Sequence, residues 1–379
     1  MTNSEKYFPE GIAIGQAFIN RLDERSYLIK RIKANQHTVL MAPRRYGKTS
    51  LVTKTATELG CAYAAIDLLA AYDEEYVRDQ IVNKISHLVF ELLPNITKAK
   101  EKLLTIFKKM KPEISLGAFG QRLSLTLSNQ PLHDITELLL KLDETAKQFK
   151  KKAVVFIDEF QQISQLKNYH AIEASIRHAV ERSENISYVF SGSNRHLLQQ
   201  MFGDSGRPLY RLCQTVTLER MEKDVYIEHL QQLAQKKWQT VLADSVLEKI
   251  FNCTELHPYY MNVLCQLLWE NNEIPTDDSI VEIWHNYVKN QRYIISHDIG
   301  ELSLNQRKII TALAKDSAKE VQSTVFTSPL KISASSAQQS INVLLNNDLL
   351  YQDAKGLYRV LDPAMRYYLD NILWENEAK

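Results

Sequence analysis

Cysteine is scarce in this chain and shows no pattern. Cys61, Cys213, Cys253 and Cys265 are scattered over 379 residues without C-x-x-C spacing. That argues against a disulfide frame or a cysteine zinc site and for reduced thiols. Neither H-x-x-x-H nor H-E-x-x-H occurs, so no pair of helical histidines offers itself to a metal. No stretch approaches ~18 uninterrupted apolar residues, the length a membrane helix needs. The first residues, MTNSEKYFPEG, lack the apolar core of a secretory signal. The chain is therefore expected to be cytoplasmic, with no membrane partner. Charge of one sign is missing too: 46 basic and 45 acidic residues leave a net +1, so no global field advertises nucleic acid. Internal repeats and low-complexity tracts are absent. The remainder is 45% hydrophobic and 24% charged, an ordinary globular composition of a length that suggests two or three domains.

Apolar patterning places the elements. Residues 22–32 put Leu22, Tyr27, Leu28 and Ile32 on one predicted helical face. Residues 39–41, 61–69 (CAYAAIDLL), 153–160 (AVVFIDEF), 186–193 (ISYVFSGS) and 215–218 (TVTL) read as buried strands. Helical stretches at 73–110, with a break at Pro94, at 133–150 and at 168–183 separate them. Such alternation implies a parallel sheet with helices on both faces. Between them, Ile114, Leu116, Leu123, Leu125 and Leu127 alternate around Gly117 and Gly120, a hairpin pattern. From residue 222 the strand signals stop and a helical bundle is predicted. From residue 302, two helices and a two-stranded segment turning at Lys355 and Gly356 follow the winged helix-turn-helix plan. The expected fold class is α/β: a parallel-sheet core over 1–221, which the loop at 42–49 (A-x-x-x-x-G-K-T) makes a P-loop NTPase core, an α-helical lid over 222–300 and a winged helix over 301–379.

Residues 41–51, MAPRRYGKTSL, stand between the first strand and a helix. Ala42 to Thr49 fits the P-loop pattern except that Ala42 replaces the first glycine. Gly47 can aim successive N–H groups inward, and the helix N-terminus faces phosphates with its partial positive charge. Lys48 can reach the β- and γ-phosphates, and Thr49 can offer its hydroxyl to Mg²⁺. The expected nucleotide contacts here are Pro43, Arg44, Arg45, Tyr46, Gly47, Lys48, Thr49 and Ser50; one of the two arginines faces phosphate and the other pairs with protein carboxylates.

The third strand ends at Asp158 and Glu159. A carboxylate at the end of a buried parallel strand beside a P-loop can hold the Mg²⁺ shell, assigned to Asp158. Glu159 can polarise the attacking water. No N-K-x-D motif reads guanine, so ATP is the expected nucleotide. In SGSNRH, after the next strand, Ser193, then Asn194 and Ser191, are candidates to contact the γ-phosphate or the water; a plain helix N-cap is the alternative. Arg207 or Arg211 can supply the cation that stabilises charge on the transferring phosphoryl, unless it forms a structural ion pair. His257 reads as a helix cap or core residue.

The order FINRLDE, MAPRRYGKTSL, VVFIDEFQQI, VFSGSNRHLL, PLYR, HPYY and LDPAMRYYL resembles the archaeal-type ATPase family, in the STAND branch of AAA+-like P-loop ATPases, along nearly the whole chain. The resemblance implies a five-stranded ATPase core, a helical lid and a C-terminal winged helix. It implies that the stretch from Phe18 to Arg21 wraps the adenine, that Pro258 of the lid packs near the nucleotide, and that Arg211 rather than Arg207 is the family's arginine. Ala42, and Asn20 where a glycine often precedes Arg21, depart from the family pattern. Three functions follow: a nucleotide-gated switch acting on a protein partner or through self-association; a DNA-binding ATPase similar to origin-recognition initiators; and a non-hydrolysing nucleotide-binding scaffold or defence sensor. Around the predicted recognition helix, Ser333, Ser335, Ser336, Gln338, Gln339 and Asn342 can read bases. Phosphate-binding cations there are sparse, however, with Lys331 and Arg359 flanking. DNA is therefore not the favoured partner.

Overall fold

The computed structural model describes residues 7–13, 15–19, 21–93, 96–111, 113–117, 120–353 and 355–373. Asn20, the expected break at Pro94 and the hairpin tip at 118–119 lie outside them. The chain divides into two compact units, one of residues 21–44 and 48–219, the other of 1–20, 45–47 and 220–379.

The first unit is built on strands β1 (Thr38–Met41), β2 (Ala62–Asp67), β5 (Ala153–Asp158), β6 (Ile186–Gly192) and β7 (Gln214–Thr217). They form one sheet in the order β2-β5-β6-β1-β7, every pair parallel. The residues from Ala153 to Ile157 are all buried, as is the whole of β6. Side chains alternate between the two faces of a strand, so both faces are covered. The expected fifth strand is an edge and is largely exposed. The chain leaves β1 toward one side of the sheet and returns on the other, and in open α/β sheets ligands bind at the carboxyl ends beside such a reversal. Strands β3 (Glu113–Gly117) and β4 (Gly120–Ser124) make the expected antiparallel hairpin.

Strand β5 ends at Asp158, two residues earlier than predicted, because Glu159 turns left-handed (φ 50°). The predicted face of the helix Leu22–Lys33 needs correction: Leu28 and Ile32 are buried, whereas Leu22 and Tyr27 are exposed. Leu22 is the helix's first residue, and Tyr27 lies under the Arg31 guanidinium instead.

In the second unit, helices Lys223–Trp238, Asp244–Thr254, Pro258–Glu270, Asp277–Asn290 and Arg292–Gly300 precede Leu304–Lys315, Thr324–Leu330 and Ala334–Asn346. Strands β8 (Leu350–Gln352) and β9 (Tyr358–Val360) then pair antiparallel. Gly356 takes φ +79° between them, a conformation glycine adopts without penalty. Buried residues run without interruption through the bundle and the winged helix, including Tyr226, Leu264, Trp284, Val288, Ile309, Ile341 and Val360. Phe8 joins the same core.

Candidate functional site

The loop after β1 is the phosphate-binding candidate. Gly47 has φ +81°, and a Cβ there would meet nothing within 4 Å. The glycine is needed for its backbone conformation, not for space. Lys48 opens the helix Lys48–Leu59 and is buried. Its Nζ donates to the carbonyl oxygens of Ala42 and Pro43, at 3.1 Å each. An ammonium held by carbonyls of its own loop is ready to exchange them for phosphate oxygens.

The carboxylates gather at the same sheet edge. Thr49 Oγ1 donates to Asp158 Oδ2 (3.2 Å), and Ser191 Oγ donates to Asp158 Oδ1 (2.8 Å). Ser193 Oγ donates to Glu159 Oε2 (2.7 Å). Burial alone would push the Glu159 carboxyl up. Hydrogen bonds from Gln161 and Ser193, with the Lys48 charge, outweigh it and leave the group below the usual glutamate range. Both readings of SGSNRH are realised, by different residues. Asn194 caps the helix Arg195–Gly203 through Leu197 N (2.9 Å), while the two serines turn to the acids.

Two residues escaped the sequence reading. Gln161 Nε2 donates to Glu159 Oε2 at 2.5 Å, and a Cβ on Gly192 would lie 1.8 Å from Gln161 Oε1. The available signal was a glycine inside a strand pattern, which marks a close approach.

Arg207 resolves as the ion-pair alternative. Its guanidinium bonds both oxygens of Glu173 and Ser164 Oγ, and lies over the Tyr169 ring. Glu173 is fully buried; burial raises its pKa against the opposing pull of Arg207. Arg207→Ala strands that carboxylate and should cost roughly 3–5 kcal/mol near neutral pH. The mutant's carboxyl pKa rises further, so the cost should shrink as pH falls through it and the proton neutralises the group. Urea unfolding of parent and mutant at pH 7 and pH 5 checks this; an equal loss at both would exclude an uncompensated charge. Arg211 is exposed, with φ 54°, its guanidinium over the Tyr210 ring.

The remaining candidates are placed as follows. Arg21 is buried at φ 66°, donating to Glu219 O (2.6 Å) and pairing with Glu24. Phe18 is half-buried, Pro43 and Ser50 are buried, and Arg44 is exposed. The loop residues 45–47 belong to the second unit. There the Arg45 guanidinium lies 4.2 Å from the Tyr259 ring, so its partner is an aromatic face and not the carboxylate expected for one of the pair. Tyr46 packs edge-on against His257 at 4.8 Å. His257 Nδ1 accepts from Tyr259 N at the N-terminus of Pro258–Glu270, and Pro258 takes its first position. Burial, with Arg220 and Arg45 nearby, holds His257 well below the usual histidine range. It is therefore a neutral cap, as one of its two readings had it. Tyr260 Oη donates to Asp362 Oδ2 (2.5 Å), and Asp362 Oδ1 caps the helix Pro363–Tyr367.

The donors fit the expected ligands. Thr49 and Asp158 present a hydroxyl and a carboxylate, the hard oxygens Mg²⁺ takes when most of its shell is water and phosphate. Among the described residues no cluster of three or more His, Cys, Asp and Glu could hold a metal by itself, and no helix is long and apolar enough to cross a membrane. The four cysteines are all free thiols.

These features define a P-loop NTPase core, followed in the chain by helices and a winged helix. Residues 295–371 match the family model described as "Probable winged helix domain". A comparison with curated proteins finds no match. Among solved structures, the chain is similar to the Walker-type ATPase PABY2304 of Pyrococcus abyssi, at 18% identity, with 96% of this chain and 99% of that one covered and a TM-score of 0.70. It is also similar to the ADP form of the Aeropyrum pernix ORC2 protein, at 13% identity, with 99% of each chain covered and a TM-score of 0.53. At such identities the likeness establishes the fold alone.

Proposed function

We propose that this protein is an ATPase of the archaeal, STAND-like kind, working as a nucleotide-gated switch whose lid and winged helix pass the nucleotide state to a protein partner or a second copy. The observation that carries the proposal is the cluster of Lys48, Thr49, Asp158, Glu159 and Ser193 at the carboxyl ends of β1, β5 and β6. Lys48 would exchange the Ala42 and Pro43 carbonyls for the β- and γ-phosphates. Thr49 and Asp158 would hold Mg²⁺, which when bound screens the phosphate charge. Glu159, ionised and hydrogen-bonded, accepts the proton of the water that attacks the γ-phosphoryl, giving ADP and phosphate. Ser193, which donates to that carboxylate, would sense the γ-phosphate. The base-binding roles that the family resemblance implies for Phe18, Arg21 and Pro258 belong to this proposal, and exposed Arg211 would serve a neighbouring copy's nucleotide. Domain boundaries at 221/222 and 300/301 belong to this proposal, as does a cytoplasmic setting. Coupling is supported by Arg45 over Tyr259, Tyr46 against His257, and Tyr260 bonded to Asp362 at the end of the wing.

The initiator-like reading has the winged helix in its favour. Against it, Arg359 is already paired with Asp353 (2.8 Å), and the exposed residues of Ala334–Asn346, among them Ser335, Gln339, Asn342 and Val343, include no cation. Lys331, just before that helix in the chain, is exposed. We expect weak, sequence-indifferent binding of duplex DNA, in the roughly 10⁻⁴–10⁻⁶ M range of non-specific contacts at physiological salt. Phosphate release from Mg-ATP, together with titration of random duplex at about 0.15 M salt with ATP and with ADP, tests both readings. Absence of turnover would favour the scaffold; a nanomolar, sequence-selective complex would favour the initiator.

A further inference from the structure

Gln161 is 2% exposed and sits in the turn Phe160–Gln165 that follows the acids. Its Nε2 lies 2.5 Å from Glu159 Oε2 and 3.4 Å from Ser193 Oγ. Ser193 Oγ donates to that same Oε2, so both donors converge on one carboxylate oxygen. The opposite amide orientation would put an acceptor against the carboxylate, so the charge itself sets the assignment. Gln161 Oε1 is buried without a partner, which is unfavourable for a carbonyl. An apolar side chain of similar volume would escape that cost; what the glutamine adds is the N–H on Glu159. Its place is kept open by Gly192, where a Cβ would lie 1.8 Å from Oε1 and 2.9 Å from Cδ of Gln161. Glu159 is itself held left-handed at φ 50°, a conformation that persists in a non-glycine residue when its surroundings enforce it.

We propose that Gln161 is a positioning residue for Glu159: with Ser193 it pins Oε2, leaves Oε1 as the oxygen that accepts the water's proton, and depends on the missing side chain at Gly192 to do so. The proposal rests on Glu159 being the general base. Gln161→Met keeps the volume and removes the donor. In nucleotide-free protein, isotope-edited infrared titration, with Glu159→Gln as the reference that identifies the band, should find the Glu159 carboxyl titrating at higher pH in Gln161→Met than in the parent. Under turnover, kcat should fall roughly tenfold, the scale of one hydrogen bond to a charged group, with KM for Mg-ATP within about twofold of the parent. The acid limb of the kcat profile should move up in pH. Gly192→Ala should reproduce these changes; its new Cβ would meet Gln161 and, at 3.2 Å, Leu198 Cδ1, so adding it to Gln161→Ala, Leu198→Ala should cause no further loss. Parent-like titration in Gln161→Met, or a further loss from Gly192→Ala in the Gln161→Ala, Leu198→Ala background, would overturn the proposal. A parent protein that hydrolyses no ATP would sink the ATPase reading instead, while the infrared titration still reports on the contact.

Discussion

Lys48→Ala should lose Mg-ATP binding or turnover by roughly 10²–10⁴-fold, the worth of about two charge-assisted hydrogen bonds to phosphate. The fold should survive. In the structure the ammonium bonds the carbonyls of Ala42 and Pro43, groups of its own loop rather than of the apolar core. The apolar sheet beneath, from Val39 through Ile157 to Phe190, does not depend on it. Calorimetry with Mg-ATP, alongside circular dichroism of the mutant, decides the matter. Parent-like affinity and turnover in a folded mutant would remove the phosphate-binding assignment.

Glu159→Gln should keep nucleotide affinity and slow hydrolysis by about 10²-fold or more, the scale of a lost general base. The carboxamide can still accept from Ser193, so the local geometry is kept while the basicity goes. Asp158→Asn should differ, weakening the Mg²⁺ dependence through its contact with Thr49. The pH dependence carries a sign. A base is active when deprotonated, and Glu159 lies below the ordinary value of 4.5. Turnover should therefore be flat near neutrality and fall only as pH drops through that depressed value. Hydrolysis at the parent rate in Glu159→Gln would make this residue a structural acid and strengthen the scaffold reading.

What could be read from the sequence was what is local along the chain. The loop at 42–49, the strand ending at Asp158 and the hydroxyls of SGS each carry their spacing in a few consecutive residues, and a buried parallel strand declares itself by unbroken apolar character. Partners distant in sequence could not be read. Arg207 was open between phosphate and ion pair until Glu173, 34 residues away, appeared beneath it. Tyr260 gave no hint of Asp362, 102 residues on. Gln161 carried no signal of its own after the acidic pair, and its role shows only with Glu159, Ser193 and Gly192 around it. Leu22 misled in the other direction, since the helical period assigns a face without knowing where the covering elements stop.

The placement of Phe8 bears on how the chain is made. Its ring is fully buried against His229 and Trp269, with centroids at 6.0 and 5.1 Å, and Pro9 O accepts from Asn262 Nδ2 (2.7 Å). During synthesis the P-loop unit, complete once residue 219 has emerged, can collapse first. The segment before it stays without its packing surface until Trp269 has been added, on the order of ten seconds or longer at roughly 5–20 residues per second. The second unit thus closes around a segment made before the first unit, and a ribosome that stalls before residue 269 would present a folded P-loop core with the Phe8 ring still uncovered, the kind of surface that recruits chaperones.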